Sequence, residues 1–210
     1  MTAVAERIGG VVDDVVRRVA ALRRSRCFVL AVSGIDASGK STVARAIADG
    51  LRARDLSVHV VHLDDWHTAP ETRFAAADPG GHFYRHAYRF DELFELLVEP
   101  LRAARSVELR TTLRTLDGGE FEHDYRLADL DVLILEGIFL LKRELRPRYD
   151  FSVWIECSFE TALQRALARN QEGLADDALV RDYETIYFPA QELHMRLDDP
   201  RAHASVVVPA

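Results

Sequence analysis

One stretch of this chain combines residue types at a spacing that can hold a phosphate chain. Gly34-Ile35-Asp36-Ala37-Ser38-Gly39-Lys40-Ser41, followed by Thr42, fits the pattern G-x-x-x-x-G-K-[ST]. The pattern has chemical meaning when a strand precedes it and a helix follows. The glycines then let the backbone curl until successive N–H groups point inward, and the helix N-terminus adds partial positive charge. Lys40 can reach the β- and γ-phosphates of a nucleotide, and Ser41 can ligate Mg²⁺. Residues 34–42 are therefore expected to bind ATP, with Mg²⁺ as the accompanying ion. N-K-x-D, the guanine signature, is absent: the single asparagine, Asn170, is followed by Gln171.

Acids and arginines at three other places could complete a phosphoryl transfer. Leu63-Asp64-Asp65-Trp66-His67 closes an apolar run, and a carboxylate there can accept the proton of an attacking hydroxyl or help hold Mg²⁺. The plainer alternative is that Asp64 and Asp65 only cap a loop. Glu136 ends the apolar run Val132–Leu135, a place for an acid that holds Mg²⁺ through water. Arg165 and Arg169 stand four residues apart, on one face of a helix. The polar loop 171–177 follows them, as in a lid that carries guanidinium groups onto the transferring phosphoryl group. Solvated surface charge is the alternative for this pair.

These residues need strands to end beside one another, and the chain supplies them. Cys27–Ser33, Ser57–Leu63, Val132–Leu135, Phe151–Cys157 and Ser205–Val208 read as strands. Helices are predicted over 4–24, 40–54, 90–104, 159–169 and 178–197, the last kinked at Pro189. Residues 107–113 and 120–125 form a hairpin across Asp117-Gly118-Gly119. Residues 68–89, rich in Pro, Gly, His and Arg, read as a long loop of the kind that often carries function. Alternating strands and helices predict an α/β fold: a parallel sheet flanked by helices in three layers, with a small hairpin insertion (about 106–127) and a short lid (about 165–180). Ligands bind such sheets at the carboxyl ends of the strands, where Asp64 and Glu136 fall.

The bulk numbers set the frame. At 210 residues and 48% hydrophobic, the chain can fill the core of one domain spanning 1–210, preceded by an amphipathic helix within about 1–25. A net charge of −7 argues against a nucleic-acid partner. No apolar run approaches the ~18 residues of a membrane span, and Glu6, Asp13 and Asp14 interrupt any leader-like pattern, so the cytoplasm is the default. Cys27 and Cys157 sit in apolar runs and read as reduced thiols. The oligomeric state is left open, a homo-oligomer included.

G-I-D-A-S-G-K-S-T, L-D-D-W-H, L-I-L-E-G-I-F and F-E-T-A-L-Q-R-A-L-A-R-N together resemble the uridine kinase / phosphoribulokinase / pantothenate kinase superfamily, over about residues 27–208. Order and spacing match the uridine kinase branch best. The resemblance implies a P-loop kinase fold and transfer of the γ-phosphoryl group to a small-molecule hydroxyl. It implies Asp64 as the catalytic aspartate, with Asp65, Trp66 and His67 where the family has Ser, Phe and Tyr. Glu136 matches the acid of E-G-I, Arg165 and Arg169 the lid arginines, and Tyr183 and Pro189 two later landmarks. The nucleoside-binding Y-D-F-x-x-H-x-R segment has no counterpart in 108–119. In Tyr84–Asp91, Arg85 stands where an aspartate would grip ribose hydroxyls. Asp65, His67, Arg85 and Arg89 are therefore the candidate acceptor-binding residues, and Arg85 raises an anionic acceptor, such as pantothenate or a sugar phosphate, beside a uridine-like one. A nucleotide-binding regulator without transfer activity is the third alternative.

Overall fold

The computed structural model describes residues 3–75, 77–115, 117–169 and 173–210. In chain order, α1 (Ala3–Ala21) precedes β1 (Phe28–Gly34), α2 (Lys40–Arg52) and β2 (Val58–His62). Four short helices follow: α3 (Pro70–Arg73), α4 (Pro79–His86), α5 (Phe90–Leu93) and α6 (Glu99–Ala104). The hairpin strands β3 (Val107–Arg114) and β4 (Glu120–Leu127) lead to β5 (Val132–Glu136), β6 (Phe151–Glu156) and α7 (Phe159–Arg169). Last come α8 (Asp176–Asp182), α9 (Phe188–Asp198), α10 (Pro200–His203) and β7 (Val206–Pro209).

Five parallel strands form the main sheet in the order β2-β5-β1-β6-β7. Every residue of β1 and β5 is buried, as expected of central strands covered on both faces. The two-residue period of β1 divides its side chains between two layers. Phe28, Leu30 and Val32 pack with α1 and α2, while Val29 and Ala31 pack with the helices of the other face. Register fixes the site: Val32, Glu136 and His62 lie side by side across β1, β5 and β2. Gly34, Glu136 and the acids after β2 consequently arrive at one edge of the sheet.

Segment 68–89 is largely helical, which corrects the loop expected there. Pro70 and Pro79 occupy first-turn positions, where their missing N–H costs nothing, and the Asp78 carboxylate caps α4 by accepting from the Gly81 N–H at 3.1 Å. The glycines serve close packing. A Cβ added to Gly80 would lie 2.6 Å from Cβ of Pro189 and 3.1 Å from the Ala190 nitrogen, so α4 and α9 touch backbone to backbone. Gly80→Ala should destabilise the fold by ~1–3 kcal/mol through overpacking, read as a lower urea midpoint at unchanged slope.

Two of the helices expected from the sequence, 90–104 and 178–197, contain a π-helical turn. Phe94–Val98 separates α5 from α6, and Tyr183–Tyr187 separates α8 from α9. Each turn stands just before a proline, Pro100 or Pro189, which cannot donate the N–H of a regular helix. Tyr183 is thereby turned inward and fully buried. The hairpin forms as expected, pairing Val107 with Leu127 through Arg114 with Glu120. It is tied to the segment after β2 by a bridge between Trp66 and Arg114 and by stacking of Trp66 on Tyr125.

Candidate active site

The loop from Gly34 to Gly39 has the shape its sequence requires. Ala37 (φ 51°) and Gly39 (φ 97°) are both left-handed, which curls the backbone between β1 and α2. Gly34 admits no side chain, because a Cβ there would lie 2.7 Å from Oγ of Ser38 and 3.0 Å from Ile155. The first turn of α2 has neither a side-chain cap nor an acidic residue, so its amides are left for an external anion. Lys40 is buried and folds back over the loop, its ammonium donating to the Ile35 carbonyl at 3.0 Å. Ser41 and Thr42 are exposed at the start of α2. Ala37, Gly39, Lys40, Ser41 and Thr42 line one hollow together with Arg165 and Arg169, so α7 and the phosphate loop face each other. Arg165 donates to the Ser38 carbonyl at 3.3 Å, and a guanidinium nitrogen of Arg169 lies 3.9 Å from the Asp36 carboxylate. The lid predicted over 165–180 includes Asn170, Gln171 and Glu172, which lie outside the described residues.

Lys40→Ala should weaken Mg-ATP binding by roughly 10–100-fold, since a hydrogen bond to a charged group is worth about 1.5–3 kcal/mol. Unchanged affinity in calorimetry would show that the cradle serves something else.

Next to this hollow opens a cleft of ≈ 230 Å³, lined by Asp36, Asp64, Asp65, His67, Tyr88, Thr115, Tyr187 and Gln191 over an apolar floor of Phe83 and Ile138. Asp64 and Asp65 sit in a single 3-10 turn after β2. Solvent reaches Asp64 through the open cleft, but protein crowds it on its other sides. That desolvation, with the like charge of Glu136, pushes its carboxyl up to about 6, although Lys40 and a hydrogen bond from Tyr88 pull the other way. The Tyr88 hydroxyl donates to Asp64 at 3.0 Å. Asp65 is also raised, by partial burial, while His62 and His123 oppose the shift. His67 is buried and stacked on Tyr88 at 4.7 Å; burial and nearby Arg73 lower it to about 4, so the ring is neutral near pH 7.

Two expected acceptor-binding residues are elsewhere. Arg85 points outward from α4 and pairs with the capping Asp78 at 2.7 Å, outside the cleft. The loop alignment that suggested it breaks down because α4 turns that position to solvent. Arg89 is spent on structure: it donates to the carbonyls of His67 (3.1 Å) and Thr112 (2.8 Å), pairs with Glu92 (2.7 Å) and lies over the Trp66 ring. Asp65 and His67 do line the cleft.

Sequence reasoning missed several neighbours of these groups. His62 sits at the end of β2, its Nδ1 2.7 Å from the buried Glu136 carboxylate, which raises the pKa of the imidazole. Tyr183 donates to the Asp36 carboxylate, and Gln191 accepts from the Asp36 N–H at 2.5 Å. Only their places in strand or helix, and the Tyr183 landmark, could have marked them; contacts 147 and 155 residues apart leave no local signal.

Whether Mg²⁺ suits these residues follows from the donor set. Ser41 at the helix start, Glu136 and Asp64 offer oxygen only, as this hard cation prefers. Among the described residues no three His, Cys, Asp or Glu side chains converge as a metal cage. One oxygen of Glu136 faces His62, leaving the other for a bound water.

The model of the phosphoribulokinase / uridine kinase family matches residues 29–186. A uridine kinase of Serratia proteamaculans is 26% identical over 191 residues, covering 88% of this chain and 87% of that enzyme. A uridine kinase of Salmonella newport is 24% identical at the same coverage. Among solved structures, a possible uridine kinase from Bacillus stearothermophilus superposes with a TM-score of 0.72 at 24% identity, over 93% of this chain and 96% of the other. D-glycerate 3-kinase of Cryptococcus neoformans superposes with a TM-score of 0.62 at 14% identity, over 89% and 87%. At these identities the superpositions establish a shared fold and leave the acceptor open.

Proposed function

We propose, from the premise that this chain belongs to the phosphoribulokinase / uridine kinase family and is a phosphotransferase of the kinase type, that it moves the γ-phosphoryl group of ATP to a hydroxyl of an uncharged, polyhydroxylated acceptor such as a nucleoside. The observation that carries this is the position of Asp64. It lines the cleft beside the phosphate loop, close enough to Lys40 for that charge to act on its carboxyl. A hydroxyl held in the cleft can give its proton to Asp64 while its oxygen attacks phosphorus. Lys40, Arg165 and Arg169 would draw charge from the transferring group, and the loop amides would hold the other phosphates. Ser41 and Glu136, with Asp64 nearby, would hold Mg²⁺, which when bound neutralises phosphate charge.

The lining favours an uncharged acceptor over an anionic one. Three carboxylates, a neutral imidazole, an amide and three hydroxyls (Thr115, Tyr88 and Tyr187) line the cleft, and the one arginine among the lining residues, Arg169, comes from the lid helix. Carboxylates accept hydroxyl protons, whereas a second anion there would be repelled. Aromatic Phe83, Tyr88 and Tyr187 suit a flat base or the apolar face of a sugar. The test is acceptor-dependent ADP release at saturating Mg-ATP. Uridine and cytidine should support turnover and pantothenate or sugar phosphates should not. Turnover with the anionic panel alone would reverse the substrate reading, and no turnover with any acceptor would favour a nucleotide-binding regulator.

A further inference from the structure

The carboxylate of Asp36 has no part in a bare phosphate cradle, which uses only backbone N–H groups from the loop. A negative side chain inside that loop opposes an incoming triphosphate unless it does something else. Three elements meet on it. The N–H of Asp36 donates to Gln191 of α9, its carboxylate accepts from Tyr183 of the π-helical turn, and Arg169 at the end of α7 approaches it to 3.9 Å. Arg169 lines both the phosphate hollow and the acceptor cleft, so Asp36 holds it at the boundary between them.

The geometry points to Asp36 as a positioning residue: it aims Arg169 at the boundary of the two cavities and surrenders it to the transferring phosphoryl group. Burial opposes the charge on Asp36, but Lys40, Tyr183 and Arg169 outweigh it and keep the carboxyl below its ordinary range. The anion thus serves as counter-ion to Lys40 and Arg169 until phosphate oxygens compete for them. At 3.9 Å, with both partners partly exposed, the Arg169 contact is loose enough to exchange for a phosphate oxygen. Tyr183 and Gln191 stay behind to fix Asp36, which keeps the arginine within reach rather than free in solvent. Pre-placement of this kind lowers the ordering cost of the transition state.

The inference rests on the kinase reading, and its test separates the two. Wild type, Asp36→Asn, Arg169→Ala and the double variant form a cycle read by Mg-ATP calorimetry and by acceptor-dependent turnover. Asp36→Asn should tighten Mg-ATP several-fold, by removing a like charge and a competitor for Arg169. It should lower kcat by roughly tenfold at unchanged acceptor KM, the size of one loosened charge-assisted contact. In the Arg169→Ala background the effect on kcat should vanish, and the gain in Mg-ATP affinity should shrink to the part owed to the removed like charge. Tyr183→Phe, which leaves the carboxylate but removes its fixed donor, should change kcat in the same direction and less. Equal effects of Asp36→Asn in both backgrounds would overturn the proposal. So would a raised acceptor KM at intact kcat, which would make Asp36 an acceptor ligand. If no acceptor supports turnover the kinase reading fails, while the affinity cycle still measures the coupling of Asp36 to Arg169.

Discussion

Asp64→Asn should lower turnover by roughly 10²–10⁴-fold, the usual cost of losing a general base, while Mg-ATP affinity changes far less. Asparagine keeps the size and one acceptor oxygen, so the Tyr88 hydroxyl at 3.0 Å can still donate to it. What it loses is the ability to take a proton. Asp65→Asn should cost much less, because Asp65 faces the cleft without the charge of Lys40 and the Tyr88 hydrogen bond that act on Asp64. The assignment is wrong if the two variants exchange behaviour in an ADP-release assay.

The environment of Asp64 also sets a pH dependence. With its carboxyl pushed up to about 6, the free enzyme should lose acceptor kcat/KM as pH falls through 6, since the protonated form cannot act as base. Tyr88→Phe removes a donor that favours the ionised form. The acid limb should then move to higher pH while the basic side stays in place. A limb that remains fixed would mean that the Tyr88 contact does not reach the reacting carboxylate.

How much of this was readable beforehand depends on the range of the interaction. The phosphate loop was legible because its physics is local: two glycines, a lysine and a hydroxyl at fixed offsets, between an apolar run and a helical stripe. The parallel sheet was legible for the same reason, since short continuous apolar runs bounded by turn residues, such as Val132–Leu135 before Glu136-Gly137, fit central strands. Segment 68–89 was misread although Asp78-Pro79 is a helix-start signal, because Gly80 and Gly81 argue against helix by propensity. The tertiary contact with Pro189 reverses that argument. Arg85 was misassigned for a related reason: a one-residue difference in helical phase decides whether a side chain faces a cleft or solvent. Partners of Asp36 and Glu136 come from distant chain segments, and apart from the Tyr183 landmark they carry no signature.

Asp198→Ala should be the most damaging single change to stability, at ~3 kcal/mol or more, and should lower the melting temperature by roughly 6–12 °C for a chain of this size. Asp198 is buried at the end of α9, where three donors converge on its carboxylate: the Tyr84 hydroxyl at 2.5 Å, Nδ1 of His194 at 2.7 Å and the Arg143 N–H at 2.9 Å. Truncation strands the buried Tyr84 and His194 donors, and each stranded buried donor costs more than an exposed one would. Burial alone would raise the Asp198 pKa, but these hydrogen bonds outweigh it and hold the carboxyl at about 2. The folded pKa lies below the ordinary aspartate value, so the group stabilises the fold above pH ~4 and loses that contribution as pH falls toward 2. The loss amounts to about 2 kcal/mol, at 1.36 kcal/mol for each pKa unit. Urea titrations from pH 7 down to 2.5 should show the gap between wild type and variant narrowing below pH 4. The consequence reaches the candidate site, because α9 also carries Gln191 to the Asp36 N–H. Under conditions where the variant is still folded, its loosened α9 should slow turnover more than it weakens nucleotide binding. A variant as stable as wild type across this range would show that the three donors find other partners.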